Sequence, residues 1–133
     1  MHMLRVFLID DDLNFIQAAE RFLSSNPEIK IVGHSQSPVD ALKQVLHLCP
    51  DVVLVDLKMK EMNGLETTRS LKKLANAPIV VILTLFDNPE YEIAAKAALA
   101  DGFVSKSELG VKLLPLLKSL FNYSVEEEQW HLI

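Results

Sequence analysis

The sequence predicts an α/β protein, a doubly wound five-stranded parallel sheet with helices on both faces. Two observations carry that prediction. Five short apolar runs, at 4–9, 29–33, 51–55, 78–83 and 102–104, are rich in Val, Ile and Leu and mostly lack polar alternation, as strands buried on both faces do. Segments with apolar residues at helical spacing lie between the runs. Strand therefore alternates with helix, which builds a parallel sheet with right-handed crossovers.

The first helix has Asp12 as its N-cap and gathers Phe15, Ile16, Ala19, Phe22 and Leu23 on one face, and Asn26-Pro27 ends it. Ser37 caps the second helix, with Pro38 at its first position and Val39, Leu42, Val45 and Leu46 as its apolar stripe. Leu65, Thr68, Leu71 and Leu74 mark the third. Asn88-Pro89 opens an alanine-rich fourth that runs through Ala100. Gly110 and Pro115 would damage a helix interior. The regular part of the fifth helix is therefore expected from about Lys112 to Phe121, with Pro115 in its first turn, where a missing N–H matters little.

A length of 133 residues suits one domain with a single core. We expect that domain over residues 1–121. Residues 122–133, with Glu126-Glu127-Glu128 and Trp130, read as an acidic tail or the start of a linker. The net charge of -5 argues against a nucleic-acid-binding face. The one cysteine, Cys49, allows no internal disulfide, fits a reducing compartment and is expected to be a small packed residue near a helix end. The N-terminus lacks the form of a signal peptide, and no apolar stretch is long enough for a transmembrane helix. His2, His34, His47 and His131 show no metal-ligand spacing.

In an open parallel sheet, chemistry gathers at the carboxyl ends of the strands beside the topological switch point, which strands one and three flank in the order 2-1-3-4-5. At that edge the first strand ends in Asp10-Asp11-Asp12, the third in Asp56 and the fourth in Thr84, and Ser105-Lys106 follow the fifth. Converging carboxylates repel one another, and a hard divalent cation such as Mg2+ relieves that repulsion through oxygen ligands. The cation and Lys106 suit an anionic phosphoryl group, to which the Thr84 hydroxyl donates a hydrogen bond. Asp56 would act as the nucleophile and become an aspartyl phosphate.

Several segments carry a family resemblance: Val6-Phe7-Leu8-Ile9-Asp10-Asp11, Pro50 to Asp56, Met59 with Met62-Asn63-Gly64, Ile82-Leu83-Thr84, and Asp101 to Lys106. With them the sequence resembles, over residues 4–121, the receiver domains of bacterial two-component response regulators, a flavodoxin-like fold. The likeness is nearest to receivers whose effector is a LuxR-type (NarL/FixJ-like) DNA-binding domain. The resemblance implies that Asp56 accepts a phosphoryl group from a sensor histidine kinase or a small phosphodonor. It implies that Asp11 binds Mg2+ directly, that Asp10 assists, and that the backbone carbonyl of Lys58 is a further ligand. Lys106 would pair with the phosphoryl group and Thr84 would move to bond it. Phe103 would be the switch aromatic, coupling the site to the surface of helix four, strand five and helix five. The chemistry would be confined to self-phosphotransfer and slow autodephosphorylation, in the cytoplasm.

The chain departs from the family where many relatives have Pro-Gly and it has Lys60-Glu61, so the loop after Asp56 is expected to be less fixed. Lys58 either faces solvent or tunes phosphoryl lifetime through its charge, and Leu85 would narrow access to the phosphoryl group. Phe86 and Tyr91 either cover core edges or belong to a partner surface. Trp130 either packs back on the domain or contacts another chain. No helix-turn-helix follows residue 121 and no basic face is evident, so no direct contact with nucleic acid is expected, and the lack of a long apolar stretch gives no expectation of a membrane partner. Two outputs stay open: control of transcription through an effector domain outside this chain, or a stand-alone receiver docking on a target protein. Phosphorylation would also favour a homodimer. A degenerate receiver that binds without phosphorylation is disfavoured by the complete set Asp10, Asp11, Asp56, Thr84 and Lys106. An external phosphohydrolase is disfavoured by the lack of room for a substrate cap.

Overall fold

The computed structural model describes residues 3–85 and 88–121. Strands β1 (Leu4–Ile9), β2 (Ile29–Ser35), β3 (Val52–Asp56), β4 (Ile79–Thr84) and β5 (Gly102–Ser105) form one sheet in the order β2-β1-β3-β4-β5. Every pairing is parallel. This is the expected fold and strand order, with the switch point between β1 and β3.

Alternate residues of each strand feed two core layers. Leu4, Val6, Leu8, Val52, Leu54, Val81, Leu83 and Val104 pack with Ile16, Ala19 and Leu23 of α1 (Leu13–Ser24) and with Leu113 and Leu117. Phe7, Ile9, Val53, Val55, Val80 and Ile82 pack on the other face with α2 (Pro38–Leu48), α3 (Gly64–Lys72) and α4 (Pro89–Ala97). Burial on both faces explains the absence of polar alternation in the central strands.

The caps agree with the sequence reading. Asp12 accepts hydrogen bonds from the amides of Asn14 and Phe15, and Ser37 accepts from that of Asp40. Four expectations need correction. In α2 the buried residues are Pro38, Ala41 and Val45, while Val39 and Leu46 are exposed, because the helix turns its small Ala41 to the sheet. Cys49 is exposed rather than packed, and it closes α2 in the left-handed region with φ 49°. The fourth helix stops at Ala97, short of Ala100. The fifth begins later than Lys112: a 3-10 turn (Lys106–Glu108) and a wide π-type turn (Leu109–Leu113) precede the α-helical residues 114–121, here α5. Pro115 lacks the N–H that an α-helix would aim at the carbonyl four residues back, so regular winding settles only around it. The tail 122–133 with Trp130 and His131, and also His2 and Phe86, lie outside the described residues.

Candidate functional site

The two-residue alternation aims the charged groups. Asp10 follows Leu8, Asp56 follows Leu54 and Lys106 follows Val104, so all three continue rows that face α1 and α5. Parallel pairing brings these rows out at one edge. The Lys106 ammonium lies 2.7 Å from Asp10 Oδ2 and 3.2 Å from Asp56 Oδ1. It also sits 4.1 Å from the centre of the Phe15 ring, whose electron-rich face favours a cation there. Phe15 thus does more than fill the α1 stripe. Sequence spacing gave no sign of that role, since α1 and Lys106 meet only through the fold.

Asp10, Asp11 and Asp56 each offer a carboxylate oxygen, and these atoms lie within 4.8 Å of one another. Asp10 is the most engaged: its Oδ1 accepts from the Asp12 amide at 2.9 Å and its Oδ2 from Lys106. Asp11 is half-buried and accepts from the Lys60 amide at 3.3 Å. Burial pushes the Asp56 carboxyl from 3.8 up to about 6; the charge of Asp10, and less strongly that of Asp11, adds to the rise, while Lys106 opposes it. For Lys106, burial would lower the ammonium, but the hydrogen bond to Asp10 and the charges of Asp10 and Asp56 outweigh it and raise its pKa above 10.5. The cluster therefore holds more negative charge than one lysine balances. An all-oxygen, carboxylate-rich donor set of this kind fits a hard cation such as Mg2+.

Thr84 lies on the other row. It follows Ile82 at two residues, facing the α2–α4 side, and is fully buried opposite Ser105 of β5. Phe103 pairs with Ile82 and packs half-buried against that same layer. Thr84 and Phe103 therefore share a sheet face and adjacent strands, on the side that packs against α2, α3 and α4.

The loop after Asp56 carries hydrogen bonds at its base and near its tip. Its base is closed by the Gly64 amide donating to Leu57 O at 2.7 Å. Near its tip, Glu61 Oε1 accepts from Ser37 Oγ at 2.8 Å and from the Val39 amide at 3.3 Å. The sequence reading missed Glu61, since nothing local marks it as a partner of a serine 24 residues earlier. Lys58 is exposed on this loop, with its ammonium 5.3 Å from the centre of the Tyr91 ring. Tyr91 packs at the edge of the α2–α4 core layer. Leu85 is largely exposed beside Thr84.

Fold and cluster together define a class: a doubly wound α/β domain whose carboxylates and one lysine meet at the carboxyl edge, across the switch point. Residues 6–118 match the response regulator receiver domain family, and the chain belongs to it. The transcriptional regulatory protein LiaR of Bacillus subtilis (strain 168) is 32% identical over 100 residues, 74% of this chain and 47% of that protein. A protein-glutamate methylesterase/protein-glutamine glutaminase of Hydrogenovibrio crunogenus is 36% identical over 85 residues, 64% of this chain and 23% of that protein. A LuxR-family two-component response regulator from Aurantimonas sp. SI85-9A1 has a TM-score of 0.83 at 24% identity, covering 89% of this chain and 84% of that one, a likeness of fold. The chain spans less than half the length of these two curated relatives. Among the described residues, no helix is long and apolar enough to cross a membrane.

Proposed function

We propose that this chain is the phosphorylation-dependent switch of a two-component phosphorelay, accepting a phosphoryl group on Asp56 from a sensor histidine kinase in the cytoplasm. The observation that carries this reading is the Lys106 ammonium held between Asp10 and Asp56 in a cluster of three carboxylates. In the reaction, an Asp56 carboxylate oxygen attacks the phosphorus of the donor. The bond from phosphorus to the donor breaks and its electron pair leaves with the donor, so an acyl phosphate remains. Attack by water later returns the carboxylate and inorganic phosphate. Asp56 must be ionised to attack, and Lys106 favours that form.

Asp10, Asp11, Asp56 and the backbone carbonyl of Lys58 are the groups we assign to Mg2+, which when bound supplies positive charge for the phosphoryl oxygens. Lys106 pairs with the same oxygens. The Thr84 hydroxyl turns to bond them, and Phe103, on the same sheet face, repacks in response. The output passes through α4, β5 and α5 to an effector domain outside this chain, to a homodimer partner, or to both. LiaR, a transcriptional regulatory protein, and the LuxR-family likeness favour control of transcription. The methylesterase relative keeps docking on a different target as the second reading.

Mass spectrometry after treatment with a small phosphodonor and Mg2+ tests the proposal. One phosphoryl adduct is expected, absent in Asp56→Asn and absent with a chelator. An adduct that persists in Asp56→Asn would refute the assignment. Light scattering on the same phosphorylated sample reads the dimer.

A further inference from the structure

The segment 58–63 beside the acidic cluster has no fully buried residue, and its Met59 packs partly buried against the core. Polar contacts add to that packing, and two of them meet on the Glu61 side chain. We propose that Glu61 is a positioning residue: its carboxylate ties the β3–α3 loop to the N-terminus of α2, and the Mg2+ affinity of the cluster depends on that tie. The proposal rests on the reading of the cluster as a Mg2+ site.

One carboxylate oxygen makes the tie. Glu61 Oε1 accepts from Ser37 Oγ and from the Val39 amide. Because the Ser37 hydroxyl donates to Glu61, a lone pair is left to accept from the Asp40 amide at 3.2 Å. Two of the amide donors that the first turn of a helix leaves unsatisfied are thus served together. A negative group is also favoured at that end of the helix.

The residue before Glu61 touches the cluster. The Lys60 amide donates to Asp11 Oδ2, and Gln36 Nε2 donates to Asp11 O at 3.2 Å. Glu61 therefore ties the loop after β3 to the loop after β2, and both loops touch Asp11 through neighbouring residues, Lys60 and Gln36. Releasing it frees the peptide that orients the Asp11 carboxylate, together with the adjoining Lys58 carbonyl. Groups that orient metal ligands from behind typically change affinity by about 10-fold or more.

Mg2+ titration calorimetry on the full chain tests this with two substitutions. Glu61→Ala and Glu61→Gln remove the same charge, but the glutamine amide oxygen can still accept from Ser37 and Val39. The expected result is a Mg2+ Kd raised about 10-fold in Glu61→Ala and within about 3-fold of wild type in Glu61→Gln. Ser37→Ala should weaken binding in the wild-type background and add little to Glu61→Ala. Hydrogen exchange at the Val39 and Asp40 amides should quicken in the alanine variant and not in the glutamine variant. Equal affinities in the two Glu61 variants, beside a wild type that binds Mg2+, would overturn the role of Glu61 alone. A wild type that takes up no Mg2+ would overturn the metal reading and the effect assigned to Glu61 together.

Discussion

Asp56 sits where its charge is least comfortable. Burial and the neighbouring carboxylates of Asp10 and Asp11 raise its carboxyl from 3.8 to about 6, despite Lys106. Between those two values the folded chain holds a proton that the unfolded chain has released, so stability falls as the pH rises from about 4 to about 6, and the penalty is complete above that. That rise corresponds to about 3 kcal/mol as an upper figure. Asp56→Asn should therefore be more stable than wild type at pH 8 without Mg2+, by up to about 3 kcal/mol, with the advantage gone near pH 4. Denaturant titrations at the two pH values check this; a wild type as stable as the variant at pH 8 would contradict it. Mg2+ should stabilise the wild type and narrow the gap. Asp56 itself was legible in the sequence from its position at a strand end, but its raised pKa was not, because burial and the carboxylates of Asp10 and Asp11, at the end of another strand, create it.

The β3–α3 connection turns on Gly64. A Cβ at this position would collide with the Asp56 carbonyl oxygen and lie 2.9 Å from Leu57 Cα. Both are backbone atoms, so the loop or the end of β3 would have to move. Gly64→Ala should cost about 1–3 kcal/mol of stability, as overpacking does, and should slow phosphorylation of Asp56 by shifting its backbone. Thermal unfolding and the rate of adduct formation read the two effects. A variant that is less stable but phosphorylated at the wild-type rate would show that Asp56 tolerates the shift. The Met62-Asn63-Gly64 motif was visible in the sequence, while the reason for its glycine became visible only when α3 came to rest against the end of β3. At the fifth helix, Pro115 warned of an irregular start, but periodicity alone does not distinguish a late α-helix from one preceded by 3-10 and π-type turns.

Across the whole molecule, the α3 end, the start of β4 and the approach to β5 are joined by one ion pair away from the site. Lys72 Nζ lies 2.8 Å from Asp101 Oδ2 and donates to Pro78 O at 3.0 Å, and Asp101 Oδ2 also accepts from the Val80 amide at 2.8 Å. Asp101→Ala strips a partner from a buried amide and from an ammonium, so we expect a loss of about 1–3 kcal/mol. Phosphorylation at saturating donor should be unchanged, since the latch does not reach the cluster. Urea unfolding alongside the adduct assay checks both halves. Asp101 belongs to the motif that carried the family resemblance, and the structure supplies a structural reason for its presence.

By itself the sequence determined the fold class and the identity of the carboxylates, threonine and lysine at the sheet edge, while the strand order came with the family resemblance. The first two follow from local physics: apolar runs, caps such as Asp12 and Ser37, and the rule that strand ends of a parallel sheet share one edge. Only the tertiary structure decided how these groups are used. It put Lys106 under Phe15 and between Asp10 and Asp56, set Thr84 and Phe103 on one face, and tied Glu61 to Ser37. It also turned Ala41 rather than Val39 or Leu46 to the core. The reason is the same in each case. These contacts join residues far apart in the chain, and their geometry depends on how each helix is rotated against the sheet, which spacing along the chain does not encode.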